Sequence, residues 1–116
     1  MNVTDVVDKL GLEILAGEGN LDNPVTGGYA ADLLSCTMAR ARKGNVWVTM
    51  QSHPNVAAVA SLLELAAVIV TEGRVPESET ISKANEQKIP ILSTPFTTYG
   101  IVAALARLGV EGIDQE

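Results

Sequence analysis

Cysteine occurs once, at Cys36, which excludes an intrachain disulfide and any multi-cysteine metal site. Set among Leu33, Leu34 and Met38 at helical spacing, that thiol is expected as a buried small hydrophobe rather than a reactive group. Histidine also occurs once, at His53, and no second His or Cys stands at ligand spacing from it, so no metal is expected. Aromatic residues are 3% of the chain, and the core must therefore be built from Val, Ile, Leu and Ala. Basic residues are few: eight Lys and Arg against fourteen Asp and Glu give a formal charge of −6. Nucleic-acid binding relies on cations that neutralise phosphates, so this balance argues against a DNA or RNA partner. The one basic cluster, Arg40, Arg42 and Lys43, reads as a helix C-terminus complementing its own dipole. Long apolar runs are lacking too. Residues 56–70 are broken by Ser61 and Glu64, too soon to span a bilayer. Met1-Asn2-Val3-Thr4-Asp5 has neither the basic region nor the apolar core of a signal peptide, so a soluble, cytoplasmic protein is expected.

What the chain does have is a composition that packs. Hydrophobic residues make up 47% and charged residues 19% of 116 positions, the balance of an ordered chain. The length suits one domain spanning 1–116, within the range of about 100–150 residues where single cores are commonest. Asn2 can cap a first helix in which Val3, Val6, Val7 and Leu10 form one buried face, with Asp5 in the first turn and Gly11 as the stop. Residues 12–16 read as a short strand, 17–24 as a turn-rich connection, and 23–26 as a second short strand. Gly27-Gly28 reads as a tight turn. It precedes a helical pattern over 30–42 (Ala30, Leu33, Leu34, Met38, Ala41), but the glycine spacing of dinucleotide loops and the Walker lysine are both absent. Asp32 falls just inside that helix, well placed for its dipole.

From residue 46 the pattern becomes regular. Val46-Trp47-Val48-Thr49-Met50 reads as a strand, 55–65 as an apolar helix opened by Pro54, and 66–70 as a strand buried on both faces. A more polar helix runs from Pro76 to about Lys88, 89–92 is a third strand, and Thr94-Pro95 starts a last helix reaching Leu108. Strand–helix units joined by short links predict an α/β fold of three layers, α/β/α, whose mostly parallel sheet has about five strands. The last helix is apolar around much of its circumference, which points to a subunit interface and a homodimer.

Parallel sheets bind ligands beyond the carboxyl ends of their strands, and three such ends can be placed. They are Thr49-Met50-Gln51-Ser52-His53, Thr71-Glu72-Gly73-Arg74 and Ser93-Thr94. Small polar residues there also cap helices, so the clustering of Thr49, Gln51, Ser52, His53 and Asn55, rather than any one of them, indicates a site. The candidate ligand-binding residues are Thr49, Gln51, Ser52, His53, Asn55, Thr71, Glu72, Ser93 and Thr94, with Gly27, Gly28 and Asp32 beside the earlier helix. No catalytic residue is assigned, because no nucleophile motif accompanies His53.

The segments Gly27-Gly28-Tyr29-Ala30-Ala31-Asp32-Leu33-Leu34-Ser35 and Asn45-Val46-Trp47-Val48-Thr49-Met50-Gln51-Ser52-His53-Pro54-Asn55 carry a resemblance. With Thr71-Glu72-Gly73-Arg74 and Ile89-Pro90-Ile91-Leu92 in order behind them, the chain from about residue 25 resembles small stand-alone DRTGG-domain proteins. The literal Asp-Arg-Thr-Gly-Gly string is absent and only Thr26-Gly27-Gly28 echoes it. The resemblance implies an α/β/α domain similar to the N-terminal domain of HPr kinase/phosphatase. It also implies a regulatory or assembly role, often dimeric; because the strand ends carry no convincing nucleophile, base pair or metal set, a non-catalytic module with no cofactor is expected. The leading expectation is thus a homodimeric module sensing a small anionic metabolite such as a nucleotide, or meeting a protein partner. A small enzyme acting on a phosphorylated or acyl substrate, with His53 and Thr49 or Ser52 as active groups, is the second. A purely structural dimerisation module is the third.

Overall fold

β-Branched residues concentrate in two short segments, and these form the middle of the sheet. In the computed structural model, which describes residues 1–115, the strands are β1 (Glu13–Ala16), β2 (Gly27–Ala30), β3 (Asn45–Thr49), β4 (Ala67–Val70) and β5 (Ile91–Ser93). The helices are α1 (Val3–Leu10), α2 (Leu34–Arg40), α3 (Asn55–Leu62), α4 (Ser78–Gln87) and α5 (Thr98–Arg107). The strand order is β1-β5-β4-β3-β2, with β2 to β5 parallel and β1 antiparallel to β5. The fold is the expected α/β/α arrangement on a five-stranded, mostly parallel sheet.

Alternate residues of the strands face opposite sides. Trp47, Val68, Val70 and Ile91 pack with Val56, Ala57 and Ala60 of α3 and Ala84 of α4. Val46, Val48, Ala67, Ile69 and Leu92 pack with Val3 and Val6 of α1 and Ile101 and Leu105 of α5. Every residue of β3 and β4 is buried, which is why β4 reads as an unbroken apolar run and β3 has polar residues, Asn45 and Thr49, only at its ends. Helix α1 begins as its sequence dictates: the Asp5 N–H donates to Asn2 Oδ1 at 3.0 Å and the Asn2 N–H to Asp5 Oδ2 at 2.8 Å. No helix among the described residues is long and apolar enough to cross a membrane.

Four expectations are corrected. Gly27-Gly28 is not a turn but the start of β2, pairing with Asn45 and Val46, and the strand expected over 23–26 lies here instead. The glycines suit this edge because Val110 and Glu111 close over it: a Cβ on Gly27 would stand 2.9 Å from the Glu111 carbonyl oxygen. Consequently Asp32 precedes α2 rather than lying within it. Cys36 is exposed, since only Thr37 of α2 is buried. The first two strands, whose order the sequence leaves open, occupy opposite edges of the sheet.

Ile69, fully buried at the centre of β4, has no room to lose atoms without leaving a cavity. Ile69→Ala should lower stability by about 2–5 kcal/mol in urea unfolding. Gly17→Ala should also destabilise: Gly17 has φ 72°, and a Cβ there would strike the backbone of Ile89 and Pro90. A Gly17→Ala protein with an unchanged unfolding midpoint would contradict that close approach.

Candidate functional site

Parallel pairing sends the carboxyl ends of β2, β3, β4 and β5 to one edge, so the polar ends at 49–53, 71–74 and 93–94 meet there. The structure then divides them into two groups with different tasks.

The first group joins β2 to β3. Thr49 is fully buried, and its hydroxyl donates to Asp32 Oδ1 at 3.0 Å while accepting from the Gln51 N–H at 3.1 Å. Asp32 Oδ1 also accepts from the Met50 N–H at 2.7 Å, and Gln51 Nε2 donates back to the Asp32 carbonyl at 2.9 Å. The carboxylate thus takes over where strand pairing ends, satisfying donors that the sheet no longer can. Trp47 Nε1 donates to the Ala31 carbonyl at 2.9 Å, fixing the same loop from the core side. Ser52 contributes its carbonyl, which accepts from Thr80 Oγ1 at 2.6 Å and from the Glu77 N–H at 3.3 Å, tying this end to the start of α4. His53 is exposed; its Nδ1 accepts from the Asn55 N–H at 3.1 Å at the opening of α3, which leaves Nε2 as the N–H of the neutral ring.

The second group knits β4 to β5. The Glu72 N–H donates to the Phe96 carbonyl at 2.8 Å and the Gly73 N–H to the Thr94 carbonyl at 3.1 Å. The hydroxyls of Thr71 and Thr98 share a hydrogen bond of 2.6 Å, and the Glu72 carboxylate accepts from the Thr98 N–H at 2.8 Å, at the positive end of α5. Glu72 holds a left-handed backbone, φ 63°, uncommon for a residue with a Cβ. After β4 the chain turns to one face of the sheet and after β5 to the other, the arrangement that opens a crevice in α/β sheets. Here the protein's own hydrogen bonds close it.

An open cleft of about 300 Å³ remains beside β3, lined by Asp32, Met50, Gln51, Ser52, His53, Arg74 and Glu77. Four of the candidates expected from sequence, Asp32, Gln51, Ser52 and His53, come together in it, with Thr49 buried beneath Asp32. Gly27 and Gly28 stand at the opposite, amino-terminal end of β2, away from the cleft. Asn55 serves the His53 turn, Thr71, Glu72 and Thr94 belong to the knitted loops, and Ser93 reaches Glu13 across the β1–β5 pair at 3.5 Å. Arg74 and Glu77 were not among the candidates. The available signal was charge: Arg74 is the one cation at any of the three polar strand ends. Its side chain is exposed and has no protein partner among the described residues.

Among the described residues no hydrogen bond links His53 to the hydroxyl of Thr49 or Ser52, and no group of His, Cys, Asp or Glu is placed to hold a metal ion. The arrangement can orient and bind: it offers a guanidinium, an imidazole N–H and two carboxylates around one open space.

If Asp32 is the staple described, Asp32→Ala should cost about 1–3 kcal/mol, because it strands the buried Thr49 hydroxyl and the Met50 N–H. Asp32→Asn, which keeps an acceptor, should cost less. Urea titration of both variants checks the order, and equal losses would refute the staple.

Comparison with known proteins agrees with this architecture. Residues 5–108 match the family model of the DRTGG domain. The structure is similar to the CBS and DRTGG domains of the regulatory region of Clostridium perfringens pyrophosphatase, solved in complex with its activator, diadenosine tetraphosphate. The TM-score is 0.74 at 18% sequence identity, over 98% of this chain and 49% of that one. This chain therefore spans about half the length of that neighbour, and at such identity the likeness is one of fold. No curated protein matches the chain. With the family model covering all but the two ends of the sequence, from α1 to the close of α5, the chain belongs to the DRTGG domain family.

Proposed function

We propose that this chain is a single cytoplasmic regulatory domain that works as a homodimer and binds a small anionic ligand of the nucleotide type in the cleft beside Arg74. One observation carries the reading. The Thr49 and Thr71 hydroxyls and the Asp32 Oδ1 at this edge are committed to holding strand ends together, whereas the Arg74 guanidinium has no protein partner among the described residues. A guanidinium at an open cleft, without a protein partner among the described residues, suits a phosphate, which it can grip with two parallel N–H groups. Asp32 and Glu77 line the same cleft, and their acceptors favour a ligand that also carries donors, such as ribose hydroxyls or a base amine, over bare phosphate. The similar regulatory region of the Clostridium perfringens pyrophosphatase, which has CBS domains as well, is complexed with a nucleotide activator, and this supports the choice of ligand class. Self-association is supported by the apolar stripe of α5, which carries no charged residue before Arg107 at its end.

A catalytic reading would need His53 to activate Thr49 or Ser52. Thr49 is buried with its hydroxyl doubly engaged, and no hydrogen bond among the described residues joins His53 to Ser52, so the geometry favours binding.

Thermal-shift and calorimetric titrations with AMP, ATP, diadenosine tetraphosphate and inorganic phosphate test the proposal. A nucleotide should raise the melting temperature, as any ligand selective for the native state does, and phosphate alone should bind far more weakly. Arg74→Ala should weaken nucleotide binding roughly tenfold or more, the value of losing one charged hydrogen-bond donor. The absence of a shift with every nucleotide, or undiminished binding by Arg74→Ala, would sink it.

A further inference from the structure

On one side of the sheet α2, α3 and α4 share the work of covering it; on the other, α1 and α5 must do so alone. The shortfall falls at the β2 edge. There Gly28 and Ala30 bring almost no side chain, and an apolar hollow of about 150 Å³ opens between them, Val48, and Val102, Leu105 and Ala106 of α5.

Helix α5 has an unusual outer surface. Ile101 and Leu105 point inward, 1% and 4% exposed, as a single amphipathic face requires. The opposite stripe, normally charged, is Tyr99, Val102, Ala103 and Ala106, with Phe96 just ahead of the helix. Tyr99 is 85% exposed and Phe96 60%, so two aromatic side chains of a chain poor in them stand in water here. No charged residue occurs from 94 to 106, although the chain as a whole carries −6.

We propose that this stripe is an isologous interface with a second copy of the chain, in which two α5 helices lie antiparallel about a two-fold axis between Val102 and Ala103. About that axis position 99 of one copy falls opposite 106 of the other, and 102 opposite 103. Two features select a second copy over a foreign partner. The patch carries both a knob and a hole: the antiparallel arrangement sets each Tyr99 over the other copy's Ala106 and its hollow. An apolar cavity of about 150 Å³ holds one benzene-sized ring, so the hollow matches the ring that would enter it. Finally, two chains of the same negative charge repel each other, and this uncharged face lets them meet without juxtaposing carboxylates. The second α5 then acts as the third helix that this side of the sheet lacks.

This inference rests on the homodimer reading, and the test separates the two. Sedimentation across a concentration series should show a dimer for the parent chain. Tyr99→Glu and Ala106→Glu should each weaken self-association roughly tenfold or more, with unchanged circular dichroism. In a Cys36→Ser background, the pair Tyr99→Cys and Ala106→Cys should give a covalent dimer on oxidation. Two turns of helix separate these positions within one chain, about 10 Å, too far for an internal disulfide. A monomer at every concentration overturns both the homodimer and the interface. A parent dimer whose self-affinity survives either glutamate overturns the interface alone, as does the absence of a covalent dimer from the cysteine pair, which decides the matter even if a glutamate variant fails to fold.

Discussion

Because β2, β3, β4 and β5 join the sheet in one direction, right-handed crossovers leave α2, α3 and α4 no choice of side. All three must crowd onto one face, and their small residues, Ala57 and Ala60 of α3 and Ala84 of α4, make that crowding feasible. The chain changes sides only after β5, when α5 goes to the face that α1 already partly covers. Three other properties follow. Strands β3 and β4, sandwiched between layers, are buried throughout, and the polar residues of β3, Asn45 and Thr49, stand only at its two ends. The loops after β4 and β5 diverge and have to be held together by Glu72, Thr71 and Thr98. And the β2 side of the α5 face stays thinly covered.

The parts of the fold that could be read from the sequence are those whose cause is local. The capping pair Asn2 and Asp5, the apolar runs of β3 and β4, and Thr71, Ser93 and Thr94 at strand ends all declare themselves within a few residues. The misread parts depend on distant partners. Gly27-Gly28-Tyr29-Ala30 has the local character of a turn and becomes a strand because β3 supplies a pairing edge and residues 110–112 press on it. That one shift moved the start of α2, took Asp32 out of the helix and turned Cys36 outward. The position of β1 beside β5 had no local signal at all.

The candidate site shows the same division at finer scale. Sequence reasoning could gather polar residues at a shared edge, since parallel pairing guarantees that edge. It could not say which of them the fold would consume. A threonine hydroxyl at a strand end looks the same in sequence whether it awaits a ligand or, like that of Thr49, already satisfies a carboxylate and a backbone N–H. The distinction emerges from hydrogen-bond accounting across elements, and it shifts attention from the hydroxyls to Arg74, which takes no part in that network.

The antiparallel edge strand also bears on the order of assembly. Neighbours among β2 to β5 are roughly twenty residues apart in the chain, a modest and nearly uniform closure entropy for each added strand. β1 instead meets a strand 80 residues downstream, and its segment supplies Leu12 and Ile14 to the α1/α5 side of the core. The parallel unit can therefore assemble from segments close in the chain, while β1 finds its only pairing edge once β5 has been placed. During synthesis β1 emerges well before the strand it pairs with, so its hydrogen-bonding edge waits for β5 while α1 already has Val46 and Ala67 to pack against.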